Sequence, residues 1–274
     1  MAKPITVTLM DANHCPGAVM MLFQVGPKNI LHVGDFRWDR QKMLPLAPLR
    51  TFISGRTRLH ELYFDTTYCN EKYAGVPTQE AAIQATKAVV DRELDESRRR
   101  GKNTLFLFGS YTIGKERVYM SVCEHLQTKA FADNQRFKIL SCLDWTPELK
   151  QLLTTDQSST NIWVVPLGHI NFKRMNLYLN EQSKKPFTKH YDRVVGFRPT
   201  GWSYSDKSND IVSARKSGEN VVYGVPYSEH SNYNELVDCL LTLKPHKIIP
   251  TVSASKSQEQ VELLLSSVRH RQQS

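Results

Sequence analysis

Nowhere in the 274 residues does an apolar run approach the ~20 residues that a membrane-spanning helix needs. The opening stretch "MAKPITVTLMDANH" carries no apolar core of the signal-peptide kind. Cysteine is scarce: five residues at positions 15, 69, 123, 142 and 239, with no Cys-x-x-Cys among them. That spacing excludes a disulfide framework and a zinc ribbon, and it points to a reducing compartment. The expectation is a soluble intracellular protein without a membrane segment. Acidic side chains are the minority charge, 27 Asp and Glu against 36 Lys and Arg, for a formal net charge of +9. Such an excess favours polyanions, nucleic acid above all, because Lys and Arg contacts to phosphate release counterions. It equally suits a basic surface that binds nothing. A hydrophobic share of 40% is enough for a sizeable core.

Strand-like and helix-like stretches alternate, which indicates an α/β architecture. "ITVTLMDA", "AVMMLFQVG" and "NILHVGDF" read as strands, the last two joined as a hairpin through Gly26-Pro27-Lys28-Asn29. "ELYFDTT" is a further short strand. Thr78 is placed to cap a long amphipathic helix with Ala82, Ile83, Val89, Val90 and Leu94 on its apolar face. "TLFLFGS" reads as a buried strand, and "VYMSVCEHL" as a helix. Thr146 and Pro147 open another helix, since proline suits the first helical position. "NIWVVPL", "RVVGFR" and "NVVYGVPYS" are strands, "NYNELVDCLLTL" is a helix, and "HKIIPTV" is the closing strand.

One pattern recurs: apolar strands end in polar residues. The ends are Asp11-Ala12-Asn13-His14, Gly34-Asp35, Asp65-Thr66-Thr67, Ser110-Tyr111 and Tyr227-Ser228-Glu229-His230. Ligands of α/β sheets sit outside the carboxyl ends of strands, so five such ends pointing one way would form one site. Each residue alone has an ordinary reading. His14 beside a Pro-Gly turn can be a structural histidine, Asp35 a turn residue and Asp65 a helix cap. His230 lies where Ser231 or Asn232 can cap a helix, with Glu235 completing a capping box. Together they are imidazole and carboxylate ligands on separate strand ends, a mix suited to zinc or a similar ion. A carboxylate such as Asp35 can bridge two ions ~3.5–4 Å apart, a spacing that clamps both oxygens of a phosphoryl displacement. Ser110, Tyr111 and Lys115 combine hydroxyls and an ammonium at a helix start, where anions are favoured. Arg198 suits a phosphate, Ser228 and Ser231 flank His230, and Trp202 reads as core or as a base-stacking surface.

"LMDANHCPGAVM", "ILHVGDFRWD", "YFDTTY", "SYTIGKERVY", "FRPTGWSYS" and "YGVPYSEHSNY…PHKIIPTV" together resemble the DNA cross-link-repair nucleases of the metallo-β-lactamase/β-CASP superfamily. The blocks follow the family order over nearly the whole chain. The resemblance implies a metallo-β-lactamase αββα sandwich, incomplete at its N-terminal side, with an inserted β-CASP domain. The expected parts are 1–70 and 206–274 for the lactamase domain and 71–205 for the insert. It also implies that His14, Asp35 and His230 are metal ligands at a two-zinc centre, with Asp35 as the bridge. Asp35, Asp65 and His230 would be the catalytic set. Val252 matches the position where DNA-specific members carry Val and RNA-processing members carry His, and Ser253 stands where Asn is usual. The implied activity is a 5′-to-3′ DNA exonuclease of interstrand cross-link repair that prefers a 5′-phosphate end and works in the nucleus. Ser110, Tyr111, Lys115, Arg198, Ser228 and Ser231 would meet the DNA.

One family element is missing. No His-x-His occurs anywhere, and no His precedes His14, so the His-x-His-x-Asp-His motif is absent. The expectation is therefore a nuclease by family that is inactive as this chain alone. Two alternatives stand beside it: a non-catalytic DNA-binding or scaffolding protein, and an RNA-processing β-CASP nuclease, against which Val252 argues.

Overall fold

A computed structural model describes residues 4–183, 190–205 and 210–273; the boundary expected at residue 206 lies outside them. The chain divides into two compact units, Met1–Val76 with Glu229–Ser274, and Pro77–Ser228.

The first unit is built on a sheet of β1 (Ile5–Asp11), β2 (Val19–Val25), β3 (Lys28–His32), β4 (Glu61–Phe64) and β12 (Lys247–Pro250), in the order β1-β2-β3-β4-β12. The expected hairpin is present, with Val25 opposite Lys28 and a two-residue turn in which Gly26 takes φ 58°. β2 is antiparallel to both β1 and β3, while β3, β4 and β12 run parallel. The carboxyl ends of β1, β3, β4 and β12 therefore lie along one edge. Met10, Met20, Leu22, Leu31, Leu62 and Phe64 form the inner face of the sheet. They pack with Leu236, Val237 and Leu240 of α8 (Tyr233–Leu243), Leu264 of α9 (Ser257–Gln273), Met43 of α1 (Arg40–Met43), and Leu49 and Phe52 of α2 (Ala47–Ile53). On the other face of edge strand β1, Ile5 and Leu9 are 60% and 62% exposed. Asn232 and Glu235 form the capping box read from the sequence. "HKIIPTV" does not close the chain: α9 follows it, with Val261, Leu264 and Val268 spaced along one helical face.

The second unit carries β5 (Thr104–Ser110), β6 (Ala130–Phe131), β7 (Leu153–Thr154), β8 (Ile162–Pro166), β9 (Arg193–Pro199), β10 (Ser213–Ser217) and β11 (Asn220–Val225), ordered β10-β11-β9-β5-β8-β6-β7. Among these pairings only β10 with β11 is antiparallel. Every residue of β5 is buried, as its unbroken apolar run requires in a sheet covered on both faces. Helices α3 (Gln79–Arg99), α4 (Glu116–Leu126), α5 (Asn134–Ser141), α6 (Pro147–Gln151) and α7 (Phe172–Ser183) complete the unit. Thr78 and Thr146 cap α3 and α6, each accepting a backbone N–H. Phe106, Phe108, Val195 and Phe197 pack on one side of the sheet, and Leu105, Leu107, Trp163 and Val194 on the other.

The five polar strand ends do not share one sheet. Those of β1, β3 and β4 belong to the first unit and that of β5 to the second, while the end that follows β11 is divided, Tyr227 and Ser228 in the second unit and Glu229 and His230 in the first. Period-2 patterning tells which face a residue occupies but not which sheet a strand joins. No described helix is long and apolar enough to cross a membrane.

Candidate metal centre

β1 delivers the chain into a tight turn. Asn13 adopts φ 53°, a left-handed conformation that Asn tolerates, and its N–H donates to the Asp11 carboxylate at 2.5 Å. Asp11 thus shapes the turn. His14 follows, and Ala18 returns to bond the carbonyl of Cys15 at 3.0 Å, with Gly17 at φ 86°. After β3, Gly34 takes φ 60°; a Cβ there would sit 3.3 Å from the carbonyl oxygen of Val19. Asp35 emerges exposed from that bend. His230 comes from the segment just before α8.

The ligand atoms of His14, Asp35 and His230 all lie within 4.8 Å of one another, the one such group of three or more among the described residues. The two imidazole rings meet edge-on, centroids 4.6 Å apart. His14 Nδ1 lies 2.9 Å from the carbonyl oxygen of Glu229. A carbonyl only accepts, so Nδ1 carries the proton and Nε2 holds the electron pair a cation needs. His230 Nδ1 lies 2.7 Å from Asp65 Oδ2, which fixes the same tautomer. Two imidazoles and a carboxylate fit a first-row divalent ion by donor type.

Asp65 stands behind His230. It is 1% exposed. Its Oδ2 also accepts from the N–H of Phe36 at 3.3 Å, and its Oδ1 from the N–H and hydroxyl of Thr67 at 3.0 and 2.6 Å. Burial pushes the Asp65 carboxyl up, but hydrogen bonding and charge from His230 and the bonds from Thr67 outweigh it and hold it below its ordinary value. Both oxygens thus serve protein donors, and the residue orients a ring. Asp65→Asn is expected to weaken metal affinity by roughly 10–100-fold while leaving the fold intact, as loss of an outer partner typically does. Metal titration followed by calorimetry checks this; an unchanged affinity would refute the orienting role.

The tripeptide 36–38 ties the ligand-bearing loops together. Arg37 N–H donates to Ala12 O at 3.0 Å, and Asn13 Nδ2 to Arg37 O at 3.0 Å. Ser231 N–H donates to Phe36 O at 3.0 Å, while its hydroxyl oxygen accepts from Trp38 N–H at 2.9 Å. Arg37 pairs with Glu235 at 2.9 Å, and Trp38 Nε1 donates to Asp238 at 2.7 Å. Ser231 is therefore engaged by its own chain. None of 36–38 stood out in the sequence, although "FRWD" directly after Gly34-Asp35 was the available signal. Val252 follows β12, level with Thr66 when the strand register is continued, and its carbonyl accepts from Thr66 Oγ1 at 3.2 Å. Ser253 adopts φ 59°, the conformation in which Asn is enriched.

The other DNA-facing candidates lie in the second unit. Ser110 is buried and donates to Gly114 O at 2.7 Å, so its hydroxyl holds the loop. Lys115 adopts φ 72° at the start of α4; its Nζ lies 5.8 Å from the Tyr111 ring centroid and 5.5 Å from that of Tyr227. Tyr111 and Arg198 are exposed, while Ser228 is buried and its carbonyl accepts from Gln79 Nε2 at 2.9 Å. The basic stretch 98–102 meets carboxylates: Arg98 with Asp95 at 3.1 Å, Arg99 with Glu96 at 2.9 Å, and Arg100 and Lys102 with Glu219 at 2.7 and 3.0 Å.

The sequence pattern of the DNA repair metallo-β-lactamase family matches residues 147–256. Curated relatives match far more of the chain. The DNA cross-link repair 1A protein of Gallus gallus is 38% identical over 252 residues, 91% of this chain and 24% of its own length. The DNA cross-link repair protein SNM1 of Arabidopsis thaliana is 38% identical over 253 residues, 91% of this chain and 49% of its own. The chain is similar to the DNA repair metallo-β-lactamase family. A further relative, the 5′ exonuclease Apollo of Danio rerio, is 31% identical over 248 residues, 90% of this chain and 37% of its own. The chain thus spans less than half the length of each of those three relatives. A crystal structure of a protein of unknown function from Enterococcus faecalis V583 superposes on 93% of the chain and 60% of its own, with a TM-score of 0.52 at 12% identity. That likeness shows the fold alone, and it agrees with a mixed α/β metallo-β-lactamase architecture.

Proposed function

We propose that this chain is the DNA-processing part of a metal-dependent nuclease of DNA interstrand cross-link repair, of the 5′-to-3′ exonuclease type. The observation that carries the reading is the convergence of His14, Asp35 and His230 at one sheet edge, in a chain whose relatives are named as cross-link repair proteins and a 5′ exonuclease. The first unit would be the metallo-β-lactamase part and the second the β-CASP insert, so that the insert would run 77–228 instead of 71–205. His14 and His230 would hold zinc through Nε2, and Asp35 through its carboxylate. A bound divalent ion supplies Lewis-acid polarisation of the phosphodiester and lowers the pKa of the attacking water. Asp65 keeps the His230 ring in register. Tyr111 and Arg198, exposed on neighbouring strand ends, offer a hydroxyl and positive charge to a 5′-phosphate, and the Lys115 ammonium, only 6% exposed and 5.8 Å from the Tyr111 ring centroid, would add charge behind them. A nuclear location follows from the substrate.

Three side chains are few for two ions, since open catalytic zinc sites use about three protein ligands each. Cleavage by this chain alone should accordingly be weak, and a polypeptide in which a His-x-His-x-Asp-His segment precedes it should be active. The test is hydrolysis of a 5′-phosphorylated single-stranded oligonucleotide. Cleavage that stops on chelation and returns with zinc supports the proposal; cleavage indifferent to chelator would sink it. The second reading, a DNA-binding scaffold without catalysis, draws on that small ligand set and the net charge of +9. It predicts salt-sensitive DNA binding with no hydrolysis in either polypeptide. Lys115→Ala is expected to cost about 10-fold or more on 5′-phosphorylated ends and little on 5′-hydroxyl ends, as loss of a charged hydrogen bond does. Equal loss on both ends, measured by paired rate assays, would refute the phosphate role.

A further inference from the structure

Aromatic rings in the second unit are mostly interior: Phe106, Phe108, Phe197, Trp163 and Tyr223 are each at most 2% exposed. Among the described residues of that unit, two rings are exposed instead. Trp202 is 62% exposed and Tyr111 54%. Both follow the carboxyl ends of neighbouring parallel strands. Phe108 of β5 pairs with Phe197 of β9, and Pro199 of β9 with Val225 of β11. Continuing that register sets Ser110, Pro199 and Val225 on one line. Tyr111 comes immediately after the line on β5, and Trp202 three residues after it on β9.

The turn bearing Trp202 is held firmly. Thr200 N–H donates to Val225 O at 2.9 Å, Ser203 N–H to Thr200 O at 2.9 Å, and Tyr204 N–H to Gly201 O at 3.1 Å. The turn lies close on β11, where a Cβ at Gly224 would come within 3.1 Å of Ser203 Cβ. Gly201 is buried. A fixed backbone that presents a large apolar ring to water forgoes the burial that such rings normally gain. Arg198, exposed on the same strand end, adds a cation. Exposed aromatics beside basic groups are the means by which single strands are held through base faces and backbone phosphates.

We propose that Trp202 and Tyr111 form a stacking site for unpaired nucleobases, with Arg198 taking an adjacent backbone phosphate. The proposal rests on the DNA reading above and goes beyond it. It assigns the second unit a grip on single-stranded or frayed ends with little base-sequence preference, because every base has a π-face.

The experiment uses the full chain and two 5′-phosphorylated oligonucleotides of equal length and charge, one of thymidines and one fully abasic. Binding is read by anisotropy of the labelled strand, and quenching of tryptophan fluorescence is read alongside. Wild type is expected to bind the thymidine strand more tightly, with quenching that the abasic strand does not produce. Trp202→Ala is expected to weaken thymidine-strand binding by roughly 5- to 150-fold, the range of one lost base stack, and to leave abasic binding unchanged. Trp202→Phe should recover most of the loss. Thymidine-strand binding undiminished in Trp202→Ala, or equal loss on both strands, overturns the stacking site while leaving the DNA reading intact. Failure of wild type to bind either strand overturns both.

Discussion

His230→Ala and Asp35→Asn are each expected to abolish metal-dependent DNA cleavage in a polypeptide that joins this chain to a His-x-His-x-Asp-His segment. The loss should exceed the ~10–100-fold that follows removal of an outer partner such as Asp65, because a donor atom itself disappears. The two substitutions should differ in kind. His230→Ala removes an imidazole and leaves the Asp65 carboxylate, 2.7 Å from its former partner, with only the Phe36 N–H on that oxygen. Asp35→Asn keeps the shape of an exposed side chain and removes only its charge, so stability should hold while metal stoichiometry falls. Stoichiometry by mass spectrometry under native conditions, paired with a cleavage assay, separates the two effects. Cleavage that survives both changes would end the assignment of this cluster as a metal centre.

Glu93→Ala is expected to produce the largest loss of stability. Glu93 and Arg193 form an ion pair at 2.6 Å with side chains 8% and 4% exposed, and the Tyr223 hydroxyl donates to the same carboxylate. Buried pairs return little net energy because both charges leave water, yet removing one partner strands the other. Arg193 Nε already lacks a hydrogen-bond partner, so its guanidinium has no reserve contact on that side. The expected cost is about 3–5 kcal/mol. The double change Glu93→Leu with Arg193→Met removes both charges and should be near neutral. Urea unfolding followed through buried Trp163 reads both variants; a single substitution as mild as the double one would show that the pair is not electrostatically isolated.

Particular residues show how far the chain could be read in advance. β5 was legible because Leu105, Phe106, Leu107 and Phe108 form an unbroken apolar run within seven buried residues. The starts of α3, α6 and α8 were legible because Thr78, Thr146 and Asn232 cap through local bonds that sequence spacing encodes. β10 was invisible, since all five residues of "SARKS" are exposed and the strand exists only through its pairing with β11. α9 lies beyond the strand read as the last, and its Val261, Leu264 and Val268 spacing is the one sequence signal of a helical face there. His14, Asp35 and His230 were named from motifs, yet their approach depends on strand directions that no local pattern carries. Asp65 could be seen as acidic and nearby; that it faces a ring, with both oxygens on protein donors, needed coordinates. Trp202 inverted the usual expectation for tryptophan: its ring is 62% exposed on a turn that backbone bonds hold in place.

The tripeptide 36–38 has a consequence in time. Its backbone bonds reach Ala12 beside His14, its carbonyls and amides reach Ser231 beside His230, and Phe36 itself adjoins Asp35. Three loops anchored to one short segment open together or not at all, so they should behave as a single cooperative unit. Slow amide exchange at residues 37, 38 and 231 should then share one opening rate. An ion held by those loops would leave in one concerted event, at a rate governed by residues that never touch it.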